Sequence, residues 1–120
     1  MNVVVIGAGL SGLIAAQSLQ LQGHKVLVVD KGRSVGGRLA TRRIGTATLD
    51  HGAQFFTVRS DEFAKHVDAW LQQGVVREWC KGFAMADGHS RFVGVGGMNA
   101  IAKHLATTLD VRCNTLAFAI

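Results

Sequence analysis

Val3–Ile6 form an unbroken aliphatic run, and Lys25–Val29, aliphatic from Val26 onward, form a second strand candidate that closes on Asp30. Continuous β-branched runs without polar alternation predict strands of a parallel sheet, buried on both faces. Between them Leu10, Leu13, Ile14, Ala16 and Leu19 recur at helical spacing over residues 10–21, and Gly23 stands where such a helix ends. The chain therefore opens with a strand–helix–strand unit of about 30 residues.

Lys31–Arg43 is basic and glycine-rich, which predicts a loop or the start of a helix, and Ala47–Leu49 is a weak strand candidate. Residues 61–73 set Phe63, Val67, Trp70 and Leu71 on one helical face, with Ser60 as N-cap, Asp61 and Glu62 in the first turn, and Gly74 as the stop. Val75–Cys80, Phe83–Ala86 and Arg91–Val95, parted by Lys81–Gly82 and Asp87–Gly88, predict an antiparallel meander. Gly96–Gly97 leads into a helix over Met98–Leu109 with Ile101, Leu105 and Leu109 on one face, and Asp110–Ile120 begins another strand. The expected class is α/β. Residues 1–58 would be a Rossmann-type nucleotide-binding βαβ unit with its following loop, 59–95 an inserted helix and meander opening a substrate domain, and 96–120 a return to the nucleotide-binding domain. A parallel unit needs further neighbours to bury both faces, so the chain is expected to be the N-terminal part of a longer enzyme and an incomplete fold.

With 120 residues, 48% of them hydrophobic, the chain can bury one core. The N-terminal apolar run has no basic leader and is interrupted by Gly7, Gly9, Ser11 and Gly12, so it does not read as a signal peptide. Neither there nor elsewhere is there an apolar run of the roughly 18 residues a membrane span requires. A cytoplasmic protein with no membrane partner is expected. Cys80 and Cys113 are the only cysteines and form no C-x-x-C pair, which suits two reduced thiols. His24, His66, His89 and His104 lack metal-ligand spacing, so no metal is expected. The formal charge is +5, but Lys31, Arg33, Arg38, Arg42 and Arg43 fall in one short segment. That placement suits a local anionic group, and without aromatic-basic interleaving or a helix-turn-helix pattern nucleic acid is not an expected partner.

Gly7-Ala8-Gly9-Leu10-Ser11-Gly12 fits G-x-G-x-x-G, directly after a strand and at the start of a helix. Gly7 would permit the tight turn, Gly9 would let a pyrophosphate approach the backbone, and Gly12 would let helix and strand pack closely. The amides of the helix N-terminus, at Leu10 and Ser11 among others, would face the phosphate charge. Asp30 would accept hydrogen bonds from ribose hydroxyls. NAD and FAD are both bound by such a half-site. A nicotinamide-dependent dehydrogenase and a nucleotide-binding fragment without turnover therefore stand beside a flavoprotein.

Later residues carry a resemblance that favours the flavoprotein among these alternatives. Gly36-Gly37-Arg38-Leu39-Ala40-Thr41 resembles the G-G-R-x-x-[ST] element of the flavin-containing amine oxidase superfamily. Asp50-His51-Gly52-Ala53-Gln54-Phe55-Phe56-Thr57 resembles the flavin-contacting turn of its renalase-like branch, and Gly96-Gly97-Met98-Asn99 the G-G-M helix start found further along. The resemblance implies an FAD enzyme that oxidises a small-molecule amine or dihydronicotinamide by hydride transfer to the flavin, with dioxygen taking the electrons to give hydrogen peroxide. It implies that Gly7, Gly9, Ser11 and Gly12 hold the pyrophosphate, Asp30 and Lys31 the adenosine side, and Gly36, Gly37 and Arg38 the pyrophosphate and ribityl chain. Ala53, Gln54, Phe55 and Phe56 would approach the flavin, with Gly97 and Met98 near by. Arg38 is plausible on chemistry alone, because a guanidinium between small residues can fork onto phosphate oxygens. Phe55 and Phe56 also fit core residues, and His51 fits a structural histidine, so no catalytic residue is named.

Overall fold

A computed structural model describes residues 1–119, with the side chains of all but residues 86 and 87. Along the chain run β1 (Asn2–Ile6), α1 (Leu10–Leu21), β2 (Lys25–Val29), a 3₁₀ turn (Gly37–Leu39), β3 (Thr41–Ile44), β4 (Ala47–Asp50), α2 (Asp61–Gln72), β5 (Val76–Gly82), β6 (Ala86–Gly94), α3 (Asn99–Ala106) and β7 (Asp110–Arg112). The architecture is the expected α/β. β1, β2 and β7 make a parallel sheet in the order β1-β2-β7, with β3–β4 and β5–β6 as separate antiparallel pairs.

β1 and β2 pair with Val3 opposite Val26 and Val5 opposite Val28, so these side chains share the face on which α1 packs. α3 lies beside α1, and Gln17 Nε2 donates to the Leu105 carbonyl at 2.9 Å. Val4 and Ile6 point the other way and are 59% and 52% exposed. The expectation that β1 is buried on both faces is therefore corrected. Among the described residues β1 is covered on the α1 side alone.

A single cluster of buried side chains runs from Leu13, Val28, Met98, Ile101 and Leu105 to Val67 and Trp70 of α2 and Val76 of β5. On α2, Leu71 departs from the expected apolar face and is 38% exposed, because burial is centred on Val67 and Trp70. The segment after β4 is tied to β6 by reciprocal backbone hydrogen bonds between Phe56 and Phe92, at 3.0 and 2.9 Å. Among the described residues no helix is long and apolar enough to cross a membrane.

Three further expectations are revised. Part of Lys31–Arg43 is strand β3, whose Arg42 and Arg43 are exposed, so no apolar alternation marked it. The meander is a two-stranded hairpin: the chain turns at Phe83–Met85, and Gly88 bulges within β6 at φ +81° instead of making a second turn. α3 stops at Ala106, and the last strand stops at Arg112. Asn114, at φ +51°, turns the chain so that the Asn114 and Thr115 amides bond to the Gly32 and Asp30 carbonyls, each at 2.8 Å. Of the expected strand, Ile120 lies outside the described residues.

Candidate nucleotide-binding site

The glycine-rich turn sits at the carboxyl ends of β1 and β2, where open α/β sheets bind ligands. Gly7 has φ +106°, a conformation L side chains rarely adopt, and its amide donates to the Val29 carbonyl at 2.8 Å. At Gly12 a Cβ would collide with the Gly7 carbonyl oxygen, so only glycine lets α1 start this close to β1. Gly9 is different. Its φ of −79° and ψ of 178° suit any residue, and a Cβ there would meet nothing within 4 Å. Neither strain nor packing requires glycine at position 9, which leaves open space over the turn as its consequence.

That space faces a helix start with no cap. α1 has no side-chain cap and no acidic residue in its first turn, so its leading amides have no partner inside the helix. The contrast is with α2, where Ser60 Oγ accepts from the Phe63 amide at 3.2 Å and Asp61 and Glu62 occupy the first turn. The N-terminus of α1 is therefore the one that presents uncompensated positive potential to the cleft.

The G-G-R turn docks against the glycine turn. The Gly36 amide donates to the Ala8 carbonyl at 2.9 Å, and a Cβ on Gly37 would stand 3.3 Å from Gly9 Cα. Gly36 and Gly37 have φ of +131° and +53°. The Arg38 carbonyl is held by the Ala53 amide at 2.8 Å, and a Cβ on Gly52 would collide with that carbonyl. The Arg38 side chain is exposed and lines a cleft of about 520 Å³ together with Gly7, Gly9, Leu10, Ser11, Gly12 and Gly37.

A larger cleft of about 910 Å³ adjoins it, sharing Ile6, Gly7 and Gly37 and lined further by Asp30, Lys31, Arg33, Arg42, His51 and Thr115. Asp30 ties the wall together: Ala8 N–H donates to Oδ2 at 2.7 Å and Gly32 N–H to Oδ1 at 2.6 Å. Each oxygen keeps further acceptor capacity, so a ribose hydroxyl remains compatible with this arrangement. Among the described residues Lys31, Arg33, Arg38 and Arg42 have no ion-pair partner, and Asp30 is the one acidic residue lining either cleft. The combined surface suits a phosphate-bearing anion.

The structure thus brings Gly7, Gly9, Leu10, Ser11, Gly12, Asp30, Lys31, Gly36, Gly37 and Arg38 around two adjoining clefts. Ala53, Gln54, Phe55 and Phe56 follow the Arg38-bonded turn but line neither cleft. The Phe56 ring packs with Phe63, Trp70 and Phe92, and the Phe55 ring with Trp79 and Phe83. Met98 is fully buried, and Gly97, at φ +125°, has room for no Cβ because Thr41 Cγ2 would lie 2.6 Å away. Arg42, which the sequence offers only as part of the basic cluster, also lines the larger cleft, together with Thr115, Leu116 and Ala117 from the far end of the chain. Among the described residues no group of three or more His, Cys, Asp and Glu could hold a metal.

Residues 5–73 match the family model of the NAD(P)-binding Rossmann-like domain. The chain is 44% identical over 61 residues to AofH of Mycobacterium tuberculosis, named as a flavin-containing monoamine oxidase, a match covering 51% of this chain and 13% of that protein. It is 42% identical over 52 residues to a 4,4'-diapophytoene desaturase of Staphylococcus aureus, covering 43% of this chain and 10% of the desaturase. Among solved structures, putrescine oxidase bound to putrescine superimposes with a TM-score of 0.52 at 28% identity, over 68% of this chain and 18% of the oxidase. The chain thus spans a small part of the length of these relatives. The open turn at Gly9, the glycine-dependent contact at Gly12 and the matched residues agree: this chain belongs to the NAD(P)-binding Rossmann-like domain family and is homologous to flavin-containing amine oxidases and desaturases.

Proposed function

We propose that this chain is the FAD-binding part of a flavin-dependent oxidoreductase, similar to the amine oxidases and of the renalase-like type. The observation that carries the reading is Gly9, a glycine that neither strain nor packing demands, beside an uncapped helix start and an arginine with no ion-pair partner among the described residues. A Cβ at that point would fill the space a pyrophosphate needs, so the residues present fit the cofactor.

In this reading the amides at the start of α1 hold the pyrophosphate, and Arg38 forks onto its oxygens. Asp30 and Lys31 receive the adenosine ribose, within the larger cleft. Gln54, exposed and next to the Arg38-bonded Ala53, is the part of the following turn that approaches the flavin, because Phe55, Phe56 and Met98 are engaged in aromatic or core contacts. Residues 1–58 and 96–120 form the nucleotide-binding part, and 59–95 open a substrate domain. Bound flavin would supply the redox chemistry, accepting a hydride from an amine or dihydronicotinamide and passing electrons to dioxygen to give hydrogen peroxide. This chain's own contribution is binding, orientation and charge.

The test is an absorption spectrum of the purified chain with added FAD after gel filtration, before and after denaturation. Co-eluting flavin that is released on denaturation is expected. A chain that retains no flavin but binds NADH would replace FAD with a nicotinamide cofactor.

A further inference from the structure

We propose that Thr41 and Asp50 are positioning residues for Arg38, acting through the cap they form on α3. α3 begins after Gly96-Gly97-Met98 and has no side-chain cap of its own. The cap comes from elsewhere. Asp50 Oδ1 accepts from the Met98 amide at 2.9 Å and from the Thr41 hydroxyl at 2.6 Å, while Thr41 Oγ1 accepts from the Asn99 amide at 3.0 Å.

Thr41 and Asp50 face each other across the first rung of the β3–β4 pair. This rung brackets the cleft residue on both sides in sequence: Thr41 follows Arg38 by one turn of chain, and Asp50 precedes Ala53, whose amide holds the Arg38 carbonyl. Gly97 permits the close approach, since a Cβ there would strike the Thr41 side chain. Arg43 Nη2 adds a bond to the Gly96 carbonyl at 3.3 Å. α3 is itself anchored in the core by Ile101, Ala102 and Leu105. The Arg38 side chain is exposed and has no side-chain partner among the described residues, so the structure around it fixes the point from which it reaches into the cleft through its backbone alone. The backbone around Arg38 is held on one side by the Gly36–Ala8 bond and the buried Leu39, and on the other by the Thr41–Asp50 network that ties residues 41–50 to α3. A carboxylate and a hydroxyl that read locally as strand residues thus add a second link, from the core helix α3, to the turn that carries the cleft arginine.

The experiment is residue-resolved amide exchange on the labelled chain, with Thr41→Val, Asp50→Ala, Asp50→Asn and Thr41→Ser. Thr41→Val is nearly isosteric and carries the test if Asp50→Ala does not fold. Exchange at Met98, Asn99 and Ala53 is expected to rise together, about tenfold for loss of one hydrogen bond, with β2 amides unchanged. Asp50→Asn and Thr41→Ser, which keep the acceptors, are expected to stay near the parent. A rise at Met98 and Asn99 with Ala53 unchanged would make the network a helix cap only and overturn the proposal. The functional arm rests on the FAD reading. Asp50→Ala should weaken FAD binding when Arg38 is present and change nothing in an Arg38→Ala background, whereas equal loss in both backgrounds contradicts the coupling. If the parent chain binds no FAD, the FAD reading fails while the Ala53 exchange still decides this one.

Discussion

Replacing Gly9 by alanine should leave the fold intact and remove the ligand, whereas replacing Gly12 by alanine should break the fold first. At Gly9 the backbone already lies in a region open to all residues, and a methyl group would meet nothing within 4 Å. Reduced freedom of the unfolded chain favours such a change by about 0.4–1 kcal/mol. The poorer N-cap quality of alanine offsets part of that gain, so the net effect stays within about 1 kcal/mol and Tm moves by no more than about 5 °C. The same methyl group occupies the approach path of a pyrophosphate. Loss of one charge-assisted hydrogen bond costs about 1.5–3 kcal/mol, a factor of roughly 10 to 150 in affinity. At Gly12 the added Cβ overlaps the Gly7 carbonyl oxygen, and relief requires α1 to lift from β1. That displacement should cost at least about 3 kcal/mol, at the upper end of overpacking penalties, and lower Tm by roughly 10 °C or more. Thermal unfolding and FAD fluorescence titration on both variants separate the two. A Gly9→Ala protein that melts like Gly12→Ala, or that binds FAD as tightly as the parent, would refute the assignment of that space to a ligand.

Other substitutions probe neighbouring links. Arg38→Ala should raise the FAD dissociation constant about tenfold or more and flatten its dependence on salt, because a phosphate-directed cation is lost; titrations at low and high salt check this. Ser60→Ala removes the acceptor for the Phe63 amide and should cost about 1 kcal/mol by thermal unfolding, with flavin affinity unchanged. Trp70→Ala removes a ring that is 3% exposed and packs edge-on against Phe56 and Phe63. About 3–5 kcal/mol should be lost in denaturant titration, a large part of the roughly 5–15 kcal/mol typical of a domain.

What the sequence disclosed depended on whether the determining contact was local. α1 and α2 were legible because apolar spacing and stop signals lie inside the helices themselves. The strain at Gly7 and the close contact at Gly12 followed from one motif and its setting between strand and helix. β3 escaped notice because Arg42 and Arg43 are both exposed, so the period-two signal of a half-buried strand was missing. The Gly88 turn failed because glycine at positive φ serves a bulge as readily as a turn. The cap of α3 was hidden for a different reason. Its donors and acceptors are separated by about half the chain, and Thr41 and Asp50 carry no local mark of that duty. Met98 shows the converse: the G-G-M pattern suggested a ligand contact, but the side chain is wholly buried and its Sδ accepts from the Gly94 amide at 3.3 Å.

The most direct test of a dinucleotide held on the glycine turn is backbone amide chemical-shift mapping of the labelled chain during titration with FAD. The largest saturating shifts are expected at Gly9, Leu10, Ser11 and Gly12, with further shifts at Gly37, Arg38 and Lys31. Absence of saturating shifts at the start of α1, or shifts confined to the exposed β5–β6 hairpin, would contradict the account.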